Sequence, residues 1–159
     1  MTQSSTPDKA QFQYQDCSLT LGQGLDEFYT LNADKFSKPV AAMKWSDLMA
    51  AHDACHVLFG VNTSMVEEAH GDVWTLLATT MTFSEYAKFA KSDEARELIQ
   101  SNGLWNTLIG SIKSVPGALS IVLRARKMSK KWDAWHYRDH LSEKLCDLRQ
   151  KHNLKILPA

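Results

Sequence analysis

Two histidines, an aspartate beside the first and a later glutamate have the types and spacing of a metal-binding site. The run His52-Asp53-Ala54-Cys55-His56 is followed, after eleven residues, by Glu68. On an α-helix, residues four apart differ by only about 40° in azimuth and adjacent residues by about 100°, so the first three share one arc. Two imidazoles one turn apart can chelate a single ion, with carboxylates as further donors. We therefore expect His52, Asp53, His56 and Glu68 to bind one divalent metal ion.

The elements that would position these residues are two consecutive helices joined by a short loop. Apolar residues at steps of three and four indicate a helix over 45–59, and Gly60 is expected to end it. Ser64 and Glu67 have the spacing of a capping box for the next helix. Because the loop is short, we expect the two helices to be antiparallel neighbours, with Glu68 returning across the groove between them.

Each histidine also has an ordinary interpretation as a hydrogen-bonded core residue. Burying two imidazoles and a carboxylate costs several kcal/mol unless each finds a partner, and one shared cation would satisfy all three. The residues alone leave both interpretations open. Asp72, one turn after Glu68, could orient or replace a ligand, or could lie, like His70, on a solvated face. Cys55 is interpreted as core packing.

The chain as a whole favours one all-α domain. It has 159 residues, 44% of them hydrophobic, which is enough for a core without disulfides. No stretch alternates with a period of two. We expect a flexible arm over residues 1–15 and a single domain over 16–159, with about six or seven helices and the two-helix metal site.

The remaining helices are indicated by apolar periodicity bounded by capping residues or helix breakers. The first helix is expected to begin at Leu25 and to end at Pro39. The helix that follows Ser64 is expected to extend as far as Met81. Later helices, with a chain break at Pro116-Gly117, are expected over about 84–102, bent or divided at Ser92-Asp93, and then over 104–115, 118–131 and 132–151.

Charge and cysteine content exclude several functional classes. The 18 basic and 18 acidic residues balance, so a general nucleic-acid binder is not expected. Three widely spaced cysteines without C-x-x-C pairing favour a reducing compartment. With neither a targeting signal nor a membrane-spanning run expected, we predict a cytoplasmic protein, free or peripheral on the inner membrane face.

A group of basic residues lies close to Trp132 and Trp135 in the sequence: Arg124, Arg126, Lys127, Lys130 and Lys131. This group could contact anionic lipid headgroups, with the tryptophans at the membrane interface, or it could be a solvated helix end.

The histidine run also carries a resemblance to a known family. His52-Asp53-Ala54-Cys55-His56, eleven residues and Glu68 resemble the H-D-x-x-H, eleven residues, E signature of the coenzyme Q biosynthesis protein 4 family. Residues 58–66 are similar to that family's Leu-x-Gly-Leu-Pro-Thr-Asn-Val-x segment. Weaker similarity at 24–29, at Trp132 and at 149–153 extends the resemblance over most of the chain.

The resemblance implies an all-helical protein that binds zinc or a similar ion through His52, Asp53, His56 and Glu68. It further implies removal of the C1 carboxyl group of a prenylated hydroxybenzoate on the way to ubiquinone. The chain departs from the pattern at Asn62 (usually Pro), at Glu67 (usually Gly) and at residues 72–75, where Lys-Trp-Phe-Glu is common. Another aromatic or lipid substrate therefore stays open.

Two further functions remain as alternatives. A non-catalytic prenyl-lipid-binding or scaffold protein could organise other quinone-biosynthesis enzymes, with a homodimer as a further option. A metallohydrolase is disfavoured because no Glu follows the first histidine and no histidine precedes His52. Four protein ligands would close a tetrahedral site, so catalysis requires a fifth position or requires Asp53 or Glu68 to act as a base. Zinc is the expected ion, although iron, manganese or cobalt suits the same donors.

Overall fold

The computed structural model describes residues 9–33, 46–90 and 104–158, and their regular secondary structure is helical. The α-helices are α1 (Leu21–Leu31), α2 (Ser46–Phe59), α3 (Met65–Ala78), α4 (Phe83–Ala90), α5 (Leu104–Ala125) and α6 (Leu145–Lys151). Two 3₁₀ helices cover Gln11–Gln13 and Ala134–His140. Within these ranges, extended pairing is confined to the isolated bridges Thr20–Lys144 and Thr79–Trp132. The all-α prediction is confirmed.

The connection between α2 and α3 forms as its sequence predicts. Gly60 has a φ of 68°, and the amides of Gly60 and Val61 donate to the carbonyls of Val57 and His56 at 3.3 and 3.0 Å. This pattern is a Schellman helix stop, in which glycine adopts the left-handed conformation without strain. Ser64 caps α3 through its side chain, which accepts from the Glu67 amide. The loop is therefore tight, and α2 and α3 lie side by side.

Helix α2 is central to the core, where it contacts α1, α3, α6 and both 3₁₀ helices. Ala54, Cys55 and Phe59 are fully buried, which confirms the interpretation of Cys55 as core packing. The ring of Phe59 stacks on Trp74 of α3 with centroids 4.8 Å apart. Because α2 is held on several sides, the histidines that it carries have a fixed position.

The predicted break at Pro116-Gly117 is wrong, because α5 runs through both residues. Proline removes one helical donor, but α5 packs extensively along α3, and His70 of α3 lies against Ser114 and Gly117 around it. Gly117 permits this packing, since a β-carbon there would lie 2.2 Å from Nε2 of His70. Tertiary contact therefore outweighs the local break.

The predicted helix over 132–151 is also wrong, because a 3₁₀ helix and a turn precede α6. Backbone groups in the turn bind the segment around the start of α1: the Leu21 amide donates to Glu143, and the Leu145 amide donates to Leu19, each at 2.9 Å. These groups are consequently withdrawn from helical bonding. The same region starts α1 at Leu21 instead of Leu25, since Thr20 forms a capping box with Gln23.

Other predictions meet the structure only in part. Residues 9–15 of the expected arm include a 3₁₀ helix with Phe12 fully buried, because an aromatic side chain there completes the core. Trp132 is also fully buried, which excludes the interpretation that places this side chain at a membrane interface. Of the helices described, not one is both long and apolar enough to cross a membrane. The signals at Pro39, Trp45, Ser92-Asp93 and Asn102-Gly103 lie outside the described residues.

Candidate metal centre

Two pairs of polar side chains face each other where α2 contacts α3. His52 and His56 are one turn apart on α2, with ring centroids separated by 4.6 Å. Glu68 and Asp72 are one turn apart on α3. The Nε2 atom of His56 lies 3.4 Å from Oε2 of Glu68, and Nε2 of His52 lies 3.5 Å from Oδ1 of Asp72. The antiparallel arrangement of the helices explains these pairs. His56 and Glu68 are both one turn nearer the connecting loop than His52 and Asp72, so each histidine faces the carboxylate at its own level.

The imidazole of His56 is held in one orientation. Its Nδ1 lies 3.2 Å from the carbonyl oxygen of Val61, just beyond the helix end. Because a carbonyl oxygen can only accept, Nδ1 is the donor, and Nε2 is directed at Glu68. The ring also packs against Phe28 of α1 at a centroid distance of 5.4 Å. This arrangement is typical of metal-binding histidines, whose second nitrogen is fixed by a backbone or carboxylate acceptor.

Gly71 allows α3 to approach the histidines closely. A β-carbon at this position would lie 3.0 Å from Cε1 and 3.1 Å from Nε2 of His56. Those distances are too short for a comfortable contact with a buried ring. The glycine between Glu68 and Asp72 therefore brings the two carboxylates within reach of the two imidazoles.

Asp53 lies beside this cluster but its carboxylate is engaged by α1. The hydroxyl of Tyr29 donates to Oδ2 of Asp53 at 2.9 Å, and Asp53 is almost fully buried. Burial raises the pKa of Asp53, although the nearby histidines and the Tyr29 hydrogen bond oppose the rise. Burial and the Asp53 carboxylate in turn raise the pKa of Tyr29 well above its usual range. Burial thus makes Asp53 a weaker acid than an exposed aspartate, while its carboxylate still acts on Tyr29 and the histidines.

His56 and Glu68 perturb each other in opposite directions. Burial by itself lowers the pKa of His56, but the charge and hydrogen bond of Glu68 outweigh it and raise the pKa to about 9. Burial raises the pKa of Glu68, but attraction to His56 prevails and lowers it. The two side chains alone form an ion pair at neutral pH, and a cation would compete with the proton for Nε2 of His56.

A tetrahedral ion sets the distance expected between any two of its donor atoms. Two donors at the bond lengths usual for zinc, about 2.0–2.2 Å, lie about 3.4 Å apart when they share a tetrahedral ion. The two observed nitrogen–oxygen distances, 3.4 and 3.5 Å, agree with that separation. Among residues 9–33, 46–90 and 104–158, however, no three His, Cys, Asp or Glu side chains form a group ready to hold a metal ion. Each histidine–carboxylate pair has the spacing that one metal ion requires. Coordination of a single ion by both pairs requires the four side chains to move closer together.

The structure brings together three of the four predicted site residues: His52, His56 and Glu68. Asp53 adjoins them through its charge, while Asp72, an open alternative in the sequence, contacts His52. His70 is buried and contacts the Ser114 carbonyl of α5 at 3.0 Å, so it is on neither a solvated face nor the cluster. The sequence did not indicate that Tyr29 belongs to the site. Its contact with Asp53 joins two separate helices, and such a contact leaves no local signal in the sequence.

Comparison with known proteins adds no further support. No protein-family model, no curated protein and no solved structure matches the chain. The resemblance to the coenzyme Q biosynthesis protein 4 family therefore stays a prediction from the residues quoted for it.

Proposed function

We propose that this chain is a zinc-dependent lyase of ubiquinone biosynthesis that removes the C1 carboxyl group of a prenylated hydroxybenzoate. The observation that carries the proposal is the meeting of two helical pairs, His52 with Asp72 and His56 with Glu68, at 3.5 and 3.4 Å. Mixed imidazole and carboxylate donors suit a divalent ion. The substrate class rests on the sequence resemblance.

The reaction requires stabilisation of charge on an aromatic ring. A hydroxyl group para to the carboxylate supplies electron density, so C1 can accept a proton; the bond to the carboxyl carbon then breaks, carbon dioxide leaves and aromaticity returns. When bound, the metal supplies a Lewis acid for the substrate carboxylate or phenolate. The remaining task is to hold and deliver one proton.

Asp53 is the residue that we assign to that task. Burial raises its pKa, which makes the carboxyl group hold a proton more readily than an exposed aspartate, and Tyr29 fixes its orientation through a 2.9 Å hydrogen bond. Four protein ligands would fill a tetrahedral site, so one of the four residues predicted from the sequence has to act as an acid or base instead of a tight ligand. Asp53 meets that requirement. His52, His56 and Glu68 remain as ligands.

The proposal is tested by turnover of a prenylated 4-hydroxybenzoate by purified protein loaded with zinc. Mass spectrometry should detect a product that has lost carbon dioxide. His56→Ala and Glu68→Ala should lower the rate at least about 100-fold, as expected when electrostatic stabilisation of the reacting group is removed. Asp47→Asn, a charge-matched change at an exposed site on α2, should retain the wild-type rate. Absence of product with zinc-loaded wild type would overturn the lyase.

A second candidate function, lipid-surface binding with or without catalysis, is favoured by the outer face of α5. Four large apolar side chains on this face are 52–65% exposed: Ile112, Val115, Leu119 and Leu123. Their spacing of three and four residues places them on one stripe, opposite the buried side chains of Ser114 and Ile121. Exposed basic residues border or follow the stripe, namely Lys113, Arg126, Lys127, Lys130 and Lys131. An apolar stripe with bordering cations suits a peripheral contact with anionic lipid.

A further inference from the structure

Two imidazoles and two carboxylates lie at the contact of α2 and α3, and one of the carboxylates, that of Asp72, is not part of the histidine–glutamate motif. Asp72 lies one helical turn beyond Glu68, at a position where the chain departs from the pattern of the family that it resembles. Its Oδ1 atom is 3.5 Å from Nε2 of His52. The spacing repeats, one turn further along, the 3.4 Å approach of Glu68 to His56.

We propose that Asp72, instead of Asp53, completes the metal-ligand set with His52, His56 and Glu68. This inference rests on the proposed metal binding. Each helix supplies two donors one turn apart, and each imidazole faces one carboxylate at 3.5 or 3.4 Å, so the four donors would converge on one ion once the side chains draw together. All four residues of this set belong to α2 and α3, and each imidazole lies within 3.5 Å of one carboxylate oxygen.

Asp53 is less suited to direct coordination. One of its carboxylate oxygens accepts the Tyr29 hydroxyl at 2.9 Å, which ties the group toward α1. It follows His52 directly, so its side chain leaves α2 about 100° away from that of His52. Asp53 thus acts on the cluster through its charge instead of as a ligand.

The assignment also gives the centre an accessible side. The side chains of His56 and His52 are 2% and 10% exposed, whereas those of Glu68 and Asp72 are 33% and 45% exposed. The His56 end is closed by Phe28 and Val61. A substrate carboxylate would therefore approach from the Asp72 end, where a half-exposed ligand can yield a coordination position without unpacking the core.

Cobalt substitution of the full chain tests this ligand set without relying on activity. Cobalt(II) bound by mixed nitrogen and oxygen donors gives visible absorption bands that respond to the number and type of ligands. We compare wild type, Asp72→Asn, Asp53→Asn and Asp47→Asn, with zinc affinity measured by competition against a chromogenic chelator. Asp53→Asn retains an oxygen that can accept from Tyr29, so it changes charge with little change in packing.

Asp72→Asn should weaken zinc binding by about 100-fold or more and alter the cobalt bands, because loss of mere supporting groups already costs about 10–100-fold. Asp53→Asn should leave the bands in place, and Asp47→Asn should match wild type. Asp72→His should restore tight binding with shifted bands, because it supplies a nitrogen donor at the same place. Unchanged bands and affinity in Asp72→Asn would overturn the inference while leaving metal binding intact. Failure of wild type to bind cobalt or zinc would instead remove the metal centre itself.

Discussion

At the scale of single residues, His56 illustrates how the candidate site is held. Its Nδ1 donates to the Val61 carbonyl, its ring lies against Phe28, and its Nε2 faces Glu68 at 3.4 Å. Each contact comes from a different element: the loop after α2, helix α1 and helix α3. The orientation is consequently set before any ion binds, which is the condition for a metal site with a defined geometry.

The spacing of His52, His56 and Glu68 was enough to predict that these side chains meet, because helical periodicity and a short loop are both local properties. The partners of Asp53 and His52 could not be predicted in the same way. Tyr29 reaches Asp53 only through the packing of α1 on α2. Asp72 reaches His52 only because Gly71 permits a close approach of α3. Such contacts depend on the relative position of helices, which periodicity does not determine.

At the scale of elements, Arg149 of α6 joins three parts of the chain. Its side chain is fully buried and donates to the Leu58, Val57 and Phe12 carbonyls at 2.9, 3.0 and 2.6 Å, and it also donates to Tyr14. Burial lowers its pKa to about 10, so it keeps its charge at neutral pH. Two acceptors lie in the last turn of α2, where the helix dipole favours a cation. Arg149 thus fixes the end of α2, the helix that carries His52 and His56.

Arg149→Met is expected to destabilise the fold by about 3 kcal/mol or more, because each buried carbonyl left without a donor costs about 1–3 kcal/mol. Urea unfolding followed by circular dichroism measures the change. The control is Arg138→Met, since Arg138 is exposed and its contact with Asp47 lies at the surface. That change should cost less than about 1 kcal/mol. Equal losses in the two variants would contradict the structural role of Arg149.

Helix boundaries were predictable where the signal was local. Gly60 and Ser64 act through their own backbone and side chain, and the structure places the end of α2 and the start of α3 beside them. Boundaries set by distant contacts were not predictable. The turn before α6 exists because its backbone binds the start of α1, and α5 continues through Pro116 because it packs along α3.

At the scale of the whole molecule, the outer face of α5 exposes four large apolar side chains on one stripe. Its stripe, Ile112, Val115, Leu119 and Leu123, lies on the side away from the buried Ile121. The prenylated substrate of the proposed reaction would reside in a membrane, so contact with lipid would favour that reaction. The bordering lysines and arginines match the charge of anionic headgroups.

Co-sedimentation with vesicles of phosphatidylcholine and phosphatidylglycerol tests this contact. Wild type should bind, and vesicles of phosphatidylcholine alone should bind it more weakly. The double variant Leu119→Glu/Leu123→Glu should weaken binding at least about tenfold, because insertion of each leucine contributes about 1.5–3 kcal/mol. Leu31→Glu, at an exposed leucine of α1, is the matched control and should bind as wild type.

Two results would contradict the lipid contact. One is failure of wild type to sediment with anionic vesicles. The other is a wild-type dimer in light scattering that dissociates in the Leu119→Glu/Leu123→Glu variant, which would assign the stripe to a second copy of the chain.

The central claim is that α2 and α3 together bind a divalent ion, and metal stoichiometry tests it most directly. Wild type is equilibrated with zinc, passed into metal-free buffer and analysed by inductively coupled plasma mass spectrometry. We predict about one zinc per folded chain in wild type and in Asp47→Asn, and almost none in His52→Ala/His56→Ala with its helical circular dichroism retained. Zinc-free wild type, or equal zinc in the double-histidine variant, would contradict the account.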